Sequence, residues 1–209
     1  MNVAIIDFGM GNLRSVEKAF HYVGAPGAFI TSDPDRIAAA DRAVLPGDGA
    51  FDATMDNLRG SGMDDAVKRF VASGRPFLGI CIGMQVLLTS SEEGRAGVVG
   101  LDIVPGRVRR FAPMGGAGER IPVPQIGWNR LTPRPGSRLL AGLGDSAWVY
   151  FLHSYFCIPD DASVTAGTAD YGVEYCAAAE AGRVFATQFH PEKSGDWGLQ
   201  ILRNFVTLD

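Results

Sequence analysis

Cys81 stands in the pentapeptide Gly79-Ile80-Cys81-Ile82-Gly83, at the end of the apolar run Phe77-Leu78-Gly79-Ile80. A nucleophilic side chain between two glycines, where a buried strand must turn sharply into a helix, is the nucleophile-elbow pattern G-x-[S/C]-x-G, here with a thiol. Small residues are needed at both flanks because the turn is tight and the backbone of the nucleophile is strained. Such a turn lifts the sulfur above the sheet and aims the Ile82 N–H, at the start of a helix, toward a developing oxyanion. The pentapeptide by itself leaves a second reading open, a small hydrophobe in a core, as buried cysteines commonly are.

The segment Gln188-Phe189-His190-Pro191-Glu192 supplies the groups a reactive thiol requires. An apolar strand over Val184 to Phe189 ends in a His and a Glu two positions apart, and in an extended chain both point to the same side. Pro191 biases His190 away from helix, which favours that extended pairing. A base oriented by a carboxylate is the partner set of a thiol nucleophile. Alone, the pair also reads as a surface His and Glu at a strand end; with Cys81 at the end of a second buried strand, the catalytic reading is preferred.

The elements around these residues predict an α/β fold. Val3 to Asp7, Ala43 to Leu45 and Phe77 to Ile80 read as buried strands. Each is followed by glycines and then by apolar residues at helical spacing: Leu13-Val16-Phe20-Val23, Phe51-Met55-Leu58, and Met84 to Leu88 as the opening of a helix. Met63 to Ser73, stopped by Gly74, reads as a further helix. Strands alternating with helices require right-handed crossovers and a mostly parallel central sheet flanked by helices. Val104 to Phe111, Trp148 to His153, Ser163 to Ala169, Glu174 to Ala179 and Arg183 to Phe189 are short runs joined by turns, which suit antiparallel additions in the C-terminal half. A last helix carries Trp197, Ile201 and Phe205 on one face, and Pro113 to Pro124 reads as a flexible loop. One domain over residues 1–209 is expected.

Composition narrows the function. Of 209 residues, 46% are hydrophobic and 20% charged, enough apolar surface to exclude a disordered chain. A net charge of −4, with no basic stripe, argues against nucleic acid as partner. No apolar run approaches the ~20 residues that cross a bilayer, and the opening Met1-Asn2-Val3-Ala4-Ile5-Ile6-Asp7 has no basic leader, so a soluble cytoplasmic protein is expected. His21, His153 and His190 are scattered, and Cys81, Cys157 and Cys176 are odd in number, so neither a metal site nor a disulfide framework is expected.

These motifs resemble the class I (triad) glutamine amidotransferases, in which a Cys–His–Glu triad hydrolyses glutamine and releases ammonia for a synthase. The likeness runs through Asp7-Phe8-Gly9-Met10-Gly11-Asn12, Leu45-Pro46-Gly47-Asp48-Gly49-Ala50-Phe51, Gly79 to Gln85, Gly127-Trp128-Asn129, His153-Ser154-Tyr155 and His190-Pro191-Glu192-Lys193-Ser194. The triad motifs identify the broad family. Gly127-Trp128-Asn129, His190-Pro191-Glu192-Lys193-Ser194 and Pro46-Gly47-Asp48-Gly49-Ala50-Phe51 together point to its branch of glutaminases that serve imidazole glycerol phosphate synthesis in histidine biosynthesis.

The resemblance implies that Cys81 is the nucleophile, His190 its base and then acid, and Glu192 the orienting carboxylate. Backbone N–H groups of Gly47, Asp48 and Ile82 would form the oxyanion hole. Gln85, Glu93, Ser154 and Tyr155 would bind L-glutamine. Asn12, Trp128, Asn129 and Lys193 would face the partner, a separate (β/α)8-barrel cyclase subunit that receives the ammonia in a heterodimer. No cofactor is implied. Position 48 is Asp, whose side chain must face solvent or the partner, and Ile82 stands where Leu is commoner. Gln85 and Glu93 also read as exposed helix residues, Tyr155 as a packing aromatic, Trp128 as a buried one and Lys193 as solvated. Glutaminases of other pathways and thiol γ-glutamyl hydrolases or peptidases share the Cys–His logic; glutamine against γ-glutamyl peptides as substrate separates them.

Overall fold

A computed structural model describes residues 1–114, 118, 120–145 and 147–208. The chain alternates from its start: β1 (Asn2–Ile6), α1 (Leu13–Tyr22), β2 (Gly27–Thr31), α2 (Pro34–Ala39), β3 (Arg42–Gly47), α3 (Phe51–Gly60), α4 (Met63–Ala72), β4 (Phe77–Cys81) and the short α5 (Ile82–Gln85). There follow β5 (Ser90–Ser91), β6 (Gly106–Arg110), β7 (Gln125–Arg130), β8 (Thr132–Pro133), β9 (Trp148–His153), β10 (Tyr155–Pro159), β11 (Thr165–Asp170), β12 (Glu174–Ala181), β13 (Val184–Thr187) and α6 (Gly195–Thr207).

Strands β2-β1-β3-β4-β13 lie side by side and parallel, and β12, β10 and β6 continue the sheet antiparallel, with β5 at the edge. β7 and β9 form a separate antiparallel ribbon. Strand periodicity divides the buried residues between two cores. Val3 and Ile5 of β1 pack with Val16, Phe20, Ile201 and Phe205 of α1 and α6. Ala4 and Ile6 pack with Ile37, Phe51, Leu58, Val67 and Phe70 of α2, α3 and α4. Helices on both faces explain why the parallel strands are continuously apolar rather than alternating. Because β3, β4 and β13 run the same way, their carboxyl ends share one edge of the sheet, where ligand crevices of open α/β sheets form.

Three expectations are corrected. The apolar run Met84 to Leu88 does not open a long helix: α5 ends at Gln85, because the Val86 and Leu87 carbonyls accept hydrogen bonds from Leu101, Ile103 and Val104. The last strand, β13, is not an antiparallel addition on both sides; it pairs parallel with β4 and antiparallel with β12, joining the two halves of the sheet. It stops at Thr187, and Pro191–Lys193 forms a 3-10 turn rather than extended chain. Gly27–Thr31, Pro34–Ala39, Gln125–Arg130 and Tyr155–Pro159 add elements that the patterning did not mark. Of the loop expected at Pro113 to Pro124, residues 115–117 and 119 lie outside the described ones. No described helix is long and apolar enough to cross a membrane.

Candidate active site

Cys81 closes β4 with φ 56° and ψ −112°, a conformation that costs a non-glycine residue about 1–3 kcal/mol. Backbone packing holds it there. A Cβ at Gly83 would lie 2.0 Å from the Leu45 carbonyl oxygen, and one at Gly79 would lie 2.6 Å from the Gly83 oxygen. A Cβ at Gly47 would meet the Ile82 side chain at 2.2 Å, so β3 rests directly on the elbow. As the first residue of α5, Ile82 has an N–H without an acceptor inside its helix.

His190 and Glu192 meet behind the thiol. His190 Nδ1 lies 2.9 Å from Glu192 Oε1, and the two side chains are 5% and 2% exposed. They reach each other through the 3-10 turn, with Pro191 at its first position, where the missing N–H costs nothing. Ser194 ties this turn to β9: its hydroxyl donates to the His190 carbonyl at 2.6 Å and accepts from the Tyr150 N–H at 2.9 Å. The carboxylate can only accept, so it fixes the proton on Nδ1 and leaves Nε2 for proton transfer. Nε2 has no hydrogen-bond partner among the described residues. Burial opposes the charged ring, but the Cys81 sulfur and Glu192 on either side outweigh it and push His190 up to about 10.

A cavity of about 230 Å³ opens over Cys81. Asp48, Ile82, Gln85, Glu93, Ser154 and Tyr155 all line it, so residues distant in sequence meet at one thiol. Gly47 lies beneath, against Ile82. Glu93 is on the loop after β5 rather than in a helix, and its carboxylate accepts from the Phe51 N–H at 3.0 Å, fixing the start of α3. Burial raises its pKa, against that hydrogen bond, and neighbouring Asp52 adds to the rise. Gln85 is buried and donates both amide hydrogens within the protein, to the Tyr155 carbonyl at 3.0 Å and to Gln188 Oε1 at 3.1 Å. The Asp48 residue is exposed at the end of β3.

The four residues expected at an interface do not share one environment. Trp128 is 53% exposed on the outer face of the β7–β9 ribbon, with Ile126 and Trp148 also exposed, and is not a buried tryptophan. It stands close to Gly195, two residues after Lys193, which is half-buried in the turn that joins His190 to Glu192. Asn12 is exposed and caps α1 through the Ser15 N–H. The Asn129 amide donates to the Asp170 carbonyl at 2.8 Å and is committed within the chain.

Sequence reasoning missed Gln188, whose side chain touches both Gln85 and Cys81. A polar residue inside an apolar buried run was the available signal, since such a group must find partners. It also passed over His153 as a wall of the cavity. His153 Nδ1 contacts the Tyr155 carbonyl at 2.7 Å, and burial, opposed by that bond and helped by the charge of His190, lowers its pKa to about 4. Cys157 and Cys176 are buried; burial raises Cys157 well above a free thiol and pushes Cys176 up to about 11, as befits inert thiols.

Opposite signs of pH dependence follow for the two histidines. His190, raised when folded, adds stability below about pH 6.5 that is lost as pH rises through about 10. His153, lowered when folded, binds its proton first in the unfolded chain. Stability should therefore fall by about 3 kcal/mol as pH drops from 6.5 to 4. Urea unfolding at several pH values checks this, and His153→Phe should flatten that part of the profile.

The family described as Glutamine amidotransferase class-I matches residues 4–208 of the chain. The protein named "Imidazole glycerol phosphate synthase subunit HisH" of Syntrophotalea carbinolica is 52% identical over 205 residues, 97% of this chain and 98% of its own. The protein of the same name from Methanothermobacter thermautotrophicus is 50% identical, covering 99% of this chain and 98% of its own. A crystal structure titled as a glutamine amidotransferase superposes with a TM-score of 0.74 at 19% identity, covering 99% of this chain and all of that one, which speaks for the fold alone.

Proposed function

The chain belongs to the class I glutamine amidotransferase family, and from that premise we propose that residues 1–209 act as one glutaminase domain, the ammonia-producing subunit of an imidazole glycerol phosphate synthase. The observation that carries the chemical part is the strained Cys81 elbow beside the buried His190–Glu192 pair, opening on a cavity of metabolite size. The names of relatives at about half identity over the whole length support the pathway.

The Cys81 thiolate attacks the side-chain carboxamide carbon of L-glutamine. The Ile82 N–H, with backbone N–H groups of Gly47–Asp48, stabilises the oxyanion. His190 Nε2–H gives its proton to the departing ammonia, leaving a γ-glutamyl thioester on Cys81. The same Nε2 then takes a proton from water, whose oxygen attacks the thioester and releases glutamate. Glu192 keeps Nδ1 protonated throughout. With both amide hydrogens committed, Gln85 offers Oε1 to the substrate, an acceptor suited to the α-ammonium group.

Ammonia released into water would be protonated and lost as a nucleophile, so it passes directly to a second subunit, a (β/α)8-barrel cyclase, in a cytoplasmic heterodimer. The exposed Trp128, Ile126 and Trp148 form an apolar patch suited to that docking. Ammonia release, measured with and without the cyclase and its nucleotide substrate, should rise several-fold when both are present. Full activity of the isolated chain, with no association, would overturn the coupling.

A further inference from the structure

Gln188 is fully buried at the end of β13 and takes no part in the mechanism above. Its neighbours determine which way its amide points. The Tyr155 carbonyl can only accept, so the Gln85 atom 3.0 Å away is the amide nitrogen. The second hydrogen of that nitrogen is directed to Gln188 at 3.1 Å, so the Gln188 atom there is the acceptor Oε1. Gln188 Nε2 is thereby turned toward Cys81, 3.9 Å from Sγ. The Cys157 thiol, 3.9 Å from Oε1, is a donor that fits the same orientation. A chain of donors and acceptors thus runs from a backbone carbonyl through two amides to the nucleophile. An N–H aimed at sulfur makes a stronger hydrogen bond as negative charge gathers on that atom.

We propose that Gln188 is a positioning residue of the glutaminase reaction, whose carboxamide holds the Gln85 side chain in its substrate-accepting orientation and donates to the Cys81 sulfur. This deepens the glutaminase reading and rests on it. Without Gln188, the Gln85 amide loses the acceptor that fixes it and can turn an N–H toward the substrate ammonium. The sulfur, in turn, loses its donor. Both effects act through other residues, since Gln188 touches neither substrate nor leaving group.

The test compares Gln188→Met, Gln85→Met and the double variant with the native protein, together with the synthase partner for the turnover measurements. Alkylation of Cys81 by iodoacetamide at pH 7, read on the Cys81 peptide by mass spectrometry, should slow about fivefold in Gln188→Met. The KM for glutamine should rise in each single variant, and the double variant should show the KM of Gln85→Met alone, because both changes remove one function. Gln188→Asn keeps the amide but withdraws it by one methylene; it should give the same pattern at smaller amplitude and stands in if Gln188→Met does not fold. A folded Gln188→Met protein with native alkylation rate, or KM effects that multiply in the double variant, overturns the proposal. The alkylation measurement needs no glutamine. If no protein released ammonia, the glutaminase reading would fall, while slowed alkylation would still uphold the Gln188–Cys81 contact.

Discussion

Cys81→Ala should lower glutamine hydrolysis by at least ~10³-fold, measured as ammonia released with the synthase partner present. The size of the loss follows from the way the site is built. Glu192 fixes one proton of His190, and the other imidazole nitrogen has no hydrogen-bond partner among the described residues, which leaves it free to serve the thiol. Without the sulfur, His190 has no nucleophile to activate, and no other described cysteine can replace it, because Cys157 and Cys176 are buried with raised pKa values. The fold should survive. Among the described residues the sulfur makes two long hydrogen bonds of 3.9 Å, to the Leu152 carbonyl and Gln188, so its removal leaves a small void and costs about 1 kcal/mol or less. Partner association should also be unchanged, since Cys81 is buried below the cavity rather than on the exposed ribbon. Retained turnover would remove Cys81 from the chemistry.

Gly83→Ala should do the opposite and damage the structure that presents the thiol. The added methyl would lie 2.0 Å from the Leu45 carbonyl oxygen and 3.1 Å from its carbon, both backbone atoms of a central strand. No side chain can swing aside to relieve this; β3 and α5 must separate. Such overpacking costs about 3 kcal/mol or more. The same separation would lift Ile82 off Gly47 and displace the backbone N–H groups proposed for the oxyanion, so activity should fall with stability. Gly60→Ala is the control: the last residue of α3 has nothing within 4 Å of its Cβ position, and the change should be neutral or stabilise by about 0.5 kcal/mol. Denaturant unfolding of the two variants decides. A Gly83→Ala protein as stable as the Gly60→Ala one would contradict the backbone-contact account of the elbow.

The legible parts of this site were those written in consecutive residues. Gly79 to Gly83 carries its own turn chemistry, and His190 and Glu192 lie two apart, so their pairing could be expected although the route is a 3-10 turn. What stayed hidden depended on partners far along the chain. The helix expected after Met84 ends because residues 101–104 take the Val86 and Leu87 carbonyls, a competition invisible in the apolar run itself. β13 looks like its antiparallel neighbours in pattern, and its parallel register with β4 is set across a hundred residues of chain. Gln188 showed only as a polar residue in a buried run; its meaning came from three partners on β4, α5 and β10. Trp128 illustrates the converse, since composition favours burial and only its position on an outward strand face leaves it exposed.

Glutamine opened by the Cys81 sulfur, with His190 as proton carrier, passes through a covalent intermediate. This is tested most directly by incubating the synthase complex with L-glutamine, quenching in acid and mapping the chain by mass spectrometry. A glutamyl adduct is expected on the Cys81 peptide and absent from Cys81→Ala. Steady ammonia release with no adduct at Cys81, or an adduct on another residue, would contradict this chemistry.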